Sequence, residues 1–475
     1  MKKLIKNYIY NLSYQILVMV IPLLLLPYLS RTIGVDGTGV YSYTYTVAQY
    51  FVLFGMLGIK NYGIRTIAKV QDNRAQKSRL FCSLYTMQII TSCFAIVAYL
   101  IYSLFITNEN YKIYFYIQLI YVVSAILDIS WYFSGIEDFK KILIRNIITK
   151  ILTIILIFAL VKSEKDIWIY TFIMALSYFV GNMILWINIK KQIDFNIPNK
   201  SDVISHFLPN LKLFIAVIAV SIYTMMDKIM IEALGSVTEL GFYEYAQKIN
   251  YVQVLIVSAF GTVMLPRMSN IAERNEHSKF IDNINKSLKF IMFLSFAFSF
   301  GIIGLSETFV PLYLGKNLLH SAVLLRILSI STLFVSWGNV IRTQYLIPKE
   351  KDNVYIISVI LGALVNLIIN LLLIPKFQAI GACIATVIAE ATVMMYQAIK
   401  INNEINLLDN IRNVSSFLIK AIIMLVIIMP LKNLEMDKFV ILFMQITIGG
   451  LVYLILNYKY IYSLIKTLRI KGNNI

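Results

Sequence analysis

Runs of about 20 apolar residues recur along this chain, separated by short polar links. Fourteen such runs begin near Tyr8, Gly39, Leu80, Ile113, Ile142, Ile167, Leu211, Gly241, Phe290, Ala322, Tyr355, Ala379, Val414 and Phe439. A hydrocarbon core about 30 Å thick is crossed by a helix of that length, so each run predicts a transmembrane helix. The links leave no room for a soluble domain. The expected fold class is an all-α polytopic membrane protein. Within this pattern the stretch TMMDKIMIEALGSVTELGFYEYAQK, Thr224 to Lys248, stands out, because Asp227, Lys228, Glu244 and Lys248 interrupt apolar runs.

Composition agrees with a bilayer as solvent. The 475 residues are 59% hydrophobic and 14% charged, against about a quarter charged in a soluble domain. The opening MKKLIKN is basic, but the apolar run after it is too long for a signal peptide and has no small-residue cleavage site, which predicts an uncleaved first span. Cys82, Cys93 and Cys383 fall inside apolar runs, without disulfide or metal spacing. The net charge of +18 is explained by where the bases lie. Lys60, Arg65, Lys69, Arg74, Lys77 and Arg79 crowd one link, residues 267–289 fill another, and Lys459, Lys466, Arg469 and Lys471 end the chain. Alternate links such as Thr107–Lys112 carry little charge. The positive-inside rule then puts both termini in the cytoplasm, with no need for a nucleic-acid partner.

Sequence also hints at internal repetition. TIGVDGTGVYSYTYTVAQY (Thr32–Tyr50) returns as ALGSVTELGFYEYAQKINY (Ala233–Tyr251). Gly39, Tyr41 and Tyr43 align with Gly241, Tyr243 and Tyr245. Six predicted helices separate the copies, so both enter the membrane in one sense, as in parallel-repeat transporters. Shared interfacial chemistry, a glycine turn and a tyrosine belt, is the other reading of the same residues.

The stretch Ile21–Ala68, with DKIMIEALGSVTELGFYEYAQKI (Asp227–Ile249), VMLPRMS (Val263–Ser269) and LIPKFQAIGACIATVIAE (Leu373–Glu390), resembles the bacterial Wzx-type polysaccharide flippases. These belong to the multidrug/oligosaccharidyl-lipid/polysaccharide exporter superfamily. The resemblance implies two six-helix lobes, 1–200 and 201–400, and two further helices with a basic tail over 401–475. It also implies residence in the bacterial cytoplasmic membrane and flipping of undecaprenyl-diphosphate-linked glycan, for O-antigen or capsule, by alternating access. Polysaccharide polymerase and glycosyltransferases are the partners it suggests beside membrane lipid. A drug/cation antiporter of the same superfamily is the rival reading, and a membrane-embedded glycosyltransferase or polymerase a more distant one.

Charges inside a membrane are costly, about 2.5–3.5 kcal/mol at the centre on insertion scales, and so mark candidate sites. A diphosphate crossing a low-dielectric core needs cations, and guanidinium forks bond two phosphate oxygens at once. Lys228, Arg326, Arg31, Lys60 and Arg65 form the available set. For Arg31, Lys60 and Arg65, interfacial anchoring is the competing role. Asp227 stands about 100° from Lys228 around the helix and is expected to bond a neighbouring helix. Glu244 and Lys248, four apart, are expected to pair. Tyr41, Tyr45 and Gln49 share a helix face suited to sugars, or to a helix seam. The same two readings hold for the stripe Tyr121, Ser124, Asp128 and Tyr132, and for Ser358, Asn366 and Asn370. Glu390 and Asp128 are the candidate ion-coupling carboxyls. Pro22 and Pro27 should kink the first helix. No Walker loop, dinucleotide fingerprint, zinc spacing or nucleophile constellation is present. The chain is therefore expected to be no enzyme, to use no cofactor or metal, and to draw on an ion, potential or substrate gradient.

Overall fold

The computed structural model describes residues 23–106, 108–187, 189–274 and 276–472. Most of the expected first span, Pro22 included, lies outside the described residues; its end is the helical stretch 23–32 containing Pro27, called α1. In chain order follow α2 (Gly34–Met56), α3 (Ile59–Lys69), α4 (Arg74–Leu104), α5 (Glu109–Leu127), α6 (Ser130–Gly135), α7 (Phe139–Leu160) and α8 (Ile167–Trp186). Then come α9 (Lys200–Leu234), α10 (Val237–Glu273), α11 (His277–Tyr313), α12 (Leu319–Ile341), α13 (Asp352–Ile401), α14 (Leu407–Ile428), α15 (Lys438–Leu456) and α16 (Tyr458–Gly472). No strand occurs among the described residues.

Eleven of these helical segments are long and apolar enough to cross a membrane. α13 has 50 residues, about 75 Å of helix against a core of about 30 Å. It is broken at Gln378, whose φ of 51° and ψ of −130° are not helical. Gln397 donates to the Ser358 hydroxyl at 2.8 Å, so the two limbs fold back on each other. α2 is long enough but less apolar than the eleven. Its Thr38, Ser42, Thr44 and Thr46 turn inward and are buried.

The predicted fourth span is interrupted. α5 ends at Leu127, and Asp128 is extended, with its Oδ1 accepting the Ser130 N–H at 2.9 Å to start α6. The carbonyls freed by the break need donors, because the hydrocarbon offers none. Gln88 of α4 donates to Ala125 O at 2.7 Å and to Asp128 O at 3.0 Å. Trp186 of α8 donates to Leu127 O at 2.9 Å, and the Trp131 indole donates to the Gln88 side-chain oxygen Oε1 at 2.9 Å. The basic link expected after the second span is itself a helix, α3. Ile59, Gly63 and Ile67 are buried on one face, while Lys60, Arg65 and Lys69 are exposed on the other.

The chain divides into two compact units at Gly241. In the first, α2 packs on α4, α5 and α9, α5 on α8, and α3 on α6. Phe81, Trp131, Tyr132 and Ile67 are wholly buried there. The repeat motif meets its own copy inside this unit. A Cβ at Gly39 would collide with the Val237 carbonyl, and one at Gly241 with the Val35 carbonyl. Thr238 Oγ1 donates to Asp36 Oδ1 at 2.6 Å, across a sequence separation of 202 that is also the offset between the copies. Both glycines are needed because two helix starts touch backbone to backbone. In the second unit α11 is central, packed on α12, α14 and α15, around Phe280, Phe293, Phe417 and Tyr453. Large apolar side chains point outward from both units, Phe94 at 73% and Phe443 at 69% exposure, while small polar residues line the seams. That is the arrangement expected of helices in lipid.

Candidate functional site

The first unit encloses a cluster of phenols. Tyr41 and Tyr45 of α2 stack with centroids 5.6 Å apart. Tyr41 meets Tyr170 edge-on at 4.7 Å, and Tyr45 lies 5.0 Å from Tyr121. The hydroxyls of Tyr45 and Tyr178 are 3.1 Å apart, and the Lys150 ammonium sits 5.8 Å above the Tyr178 ring. Gln49, on the same face of α2, is half-buried. The face thus presents rings, hydroxyls and an amide, the groups that stack on and bond to sugars. Ser124 bonds its own helix at Tyr121 O, and the Tyr132 ring is buried with Trp131 and Phe81.

Asp227 and Lys228 lie on α9. Asp227 is buried, near enough to Tyr50 of α2 to interact with its phenol electrostatically, whereas Lys228 is half-buried. Asp128 is held in the helix break described above, where its side chain begins α6. Arg31 is exposed at the end of α1, and Lys60 and Arg65 are exposed on α3.

In the second unit Glu244 and Lys248 pair at 3.3 Å, as their spacing predicts. Arg326 of α12 is bound more tightly than its sequence context suggested. Its Nη1 lies 2.5 Å from Glu307 of α11, and its Nε donates to Ser306 Oγ at 2.8 Å. Lys432, between α14 and α15, reaches the other Glu307 oxygen at 2.5 Å. Two cations therefore share one carboxylate. Asn250 Oδ1 accepts from Gln253 at 3.0 Å and from Thr332 at 3.2 Å, and Gln253 also donates to Ser329. Asn370 donates to Asn366 at 3.1 Å within the first limb of α13. Glu390 is half-buried on the second limb, a turn beyond Thr386.

Beyond the helix ends, Glu404 is clamped by Lys349, and by Lys351 at 3.3 Å. Burial pushes the Glu404 carboxyl up. Hydrogen bonds from Lys349 and Tyr345 and the two ammonium charges more than reverse this, holding it at about 2. Arg74, at the start of α4, donates to both carboxylate oxygens of Asp194 on the α8–α9 link, at 2.9 and 2.7 Å, and holds that carboxyl below the usual range.

The sequence profile described as "Polysaccharide biosynthesis protein" matches residues 4–272, more than half of the chain. The chain belongs to that family. A second profile, "Lipid II flippase MurJ", matches residues 203–449. A protein named "Putative O-antigen transporter" from Escherichia coli (strain K12) is 22% identical over 84% of this chain and 96% of its own length. Capsular polysaccharide biosynthesis protein CapF of Staphylococcus aureus is 22% identical over 82% and 96%. Among solved structures, lipid II flippase MurJ in an inward closed conformation superposes with a TM-score of 0.72 at 19% identity, covering 97% of this chain and all of that one. An inward-facing multidrug resistance MATE family transporter gives 0.58 at 11% identity, over 84% and 98%.

For this family member, the sequence had singled out the cations but not what holds them. Glu307 and Lys432 lie 19 residues before and 106 after Arg326 in the chain, with no periodicity joining them. Gln88 was equally hidden, a single amide in an apolar run. Lys349 and Lys351 went unremarked in the sequence, and Glu404 as their common acceptor depends on how α13 folds back.

Proposed function

We propose that this chain flips undecaprenyl-diphosphate-linked oligosaccharide repeat units from the inner to the outer leaflet, by alternating access, for surface polysaccharide biosynthesis. The observation that carries the reading is the extent of the likeness, which takes in 96% of the O-antigen transporter relative. The interior chemistry supports it. Phenols and amides suit a glycan, and Lys228 and Arg326, with Arg31, Lys60 and Arg65 nearer the surfaces, suit a diphosphate. Asp227 would position Lys228, and Glu390 and Asp128 are the candidate carboxyls for ion coupling. A drug/cation antiporter would favour an acidic interior over these bases.

The same proposal takes the membrane to be the bacterial cytoplasmic one, with fourteen spans and both termini inside. The eleven apolar segments, the fold-back in α13, the hydroxyl-rich α2 and the first run near Tyr8 are consistent with that number. By repeat, the functional segments would be 1–200, 201–400 and 401–475, even though α9 packs with the first unit. The substrate, membrane lipid and neighbouring polymerase and glycosyltransferases are the partners. Removing the protein should leave lipid-linked glycan in the inner leaflet while its synthesis continues. Loss of the intermediate itself would favour a synthetic enzyme and sink the flippase reading.

A further inference from the structure

A groove of about 700 Å³ opens on the first unit between α2, α4 and α9. Its walls include Phe51, Phe54 and Leu57 from the end of α2, Phe94 and Ala98 from α4, and Phe207 from α9. The one hydroxyl in the lining, Thr91, is spent on Gly55 O at 2.6 Å. The surface is therefore apolar throughout, and its volume matches sites that enclose a drug-sized ligand. The α4 wall runs from Met87 to Ala98, about 16 Å of helix and so roughly half the thickness of a bilayer core.

One end of this groove is marked by charge. Leu57 leads directly into α3, which is tied to α9 where the Tyr62 hydroxyl meets His206 Nδ1 at 2.9 Å, beside Phe207. Lys60 and Arg65 are exposed on α3, within about 12 Å of chain from Leu57 at helical rise. An apolar slot, followed in the chain by a helix with two exposed bases, complements a molecule with a long hydrocarbon tail and an anionic phosphate head.

We propose that this groove seats the polyprenyl tail of the lipid-linked glycan, with Lys60 and Arg65 meeting its diphosphate. The assignment rests on the flippase reading and adds a tail subsite to it.

The test compares two substrates in proteoliposomes, a diphosphate-linked N-acetylhexosamine on an undecaprenyl chain and the same head on a farnesyl chain. Ala98→Trp and Ile90→Trp fill the groove from exposed wall positions, and Ile101→Trp, exposed on α4 outside the lining, is the control. The groove-filling variants should flip the undecaprenyl substrate roughly tenfold more slowly and the farnesyl one at the wild-type rate. The control should flip both normally. Equal rates for both substrates in the filled variants, whether normal or lost, would overturn the assignment. So would a photoreactive undecaprenyl diphosphate whose attachment at Phe94 is displaced as well by phosphatidylglycerol as by undecaprenyl diphosphate, since bulk lipid would then be the occupant. Wild-type protein that flips neither substrate would remove the flippase reading, and this subsite with it.

Discussion

Tyr41 in the first motif copy sits among four other phenols, Tyr45, Tyr121, Tyr170 and Tyr178, which touch mainly through their rings. The aligned Tyr243 is buried too, but the helix beyond it is built differently. Where α2 carries Ala48 and Phe51, the same offset of 202 along α10 reaches Asn250 and Gln253, which bond Thr332 and Ser329 of α12. One repeat pattern thus encloses two chemistries. Ring packing is spread over many weak contacts and tolerates the loss of one hydroxyl. A buried amide network is cooperative, and removing one member leaves its partners without bonds in a medium that offers none. The charged groups add to the second interior. Arg326 is bound to Glu307, which Lys432 also holds.

The largest effect is expected at Lys228. Lys228→Gln should lower flipping by roughly tenfold or more at normal membrane abundance, and Lys228→Arg should keep more activity because it keeps the cation. Arg326→Gln should lower flipping as well, and full activity in both would end the cationic-site assignment.

The reciprocal contact of the motif copies gives a second test. Gly39→Ala and Gly241→Ala each drive a methyl into a carbonyl, and each should cost about 2 kcal/mol of stability. Thermal unfolding in detergent should show the two losses to be similar. A large loss at one position alone would mean that the contact is not the symmetric one its geometry describes.

Breaking the amide network should come next. Asn250→Leu strips the acceptor from Gln253 and Thr332 and should cost about 2 kcal/mol, read by the same unfolding measurement.

Glu404 predicts a pH signature. Its folded carboxyl, at about 2, lies below the ordinary value of about 4.3, so the unfolded chain binds more protons between them. The stabilisation is fully present above about pH 5 and is lost as pH falls toward 2. For these partly exposed groups it should amount to about 1 kcal/mol. Glu404→Gln should remove that part of the acid sensitivity, and an unchanged acid profile would deny the clamp its role.

Smallest of all, Tyr45→Phe gives up the hydroxyl shared with Tyr178 and should cost about 0.5 kcal/mol, as interhelical hydrogen bonds in membranes do on average. A loss as large as that at Asn250 would erase the contrast between the two interiors.

Much of the molecule was already decided by local pattern. Apolar runs of bilayer length compel helices, because backbone groups in hydrocarbon must bond within their own segment, and the spacing of Glu244 and Lys248 was enough to pair them. The motif copies and their glycines were visible as repeated letters. Tertiary structure decided what those letters touch. That Gly39 and Gly241 are buried against each other's motif, that the span holding Asp128 breaks and is repaired by Gln88 and Trp186, and that Glu307 and Lys432 converge on Arg326 all depend on helices distant in sequence. Periodicity reports which face of a helix is apolar. It carries no information about which other helix will supply a buried polar group with its partner, and that choice is made only when the helices pack.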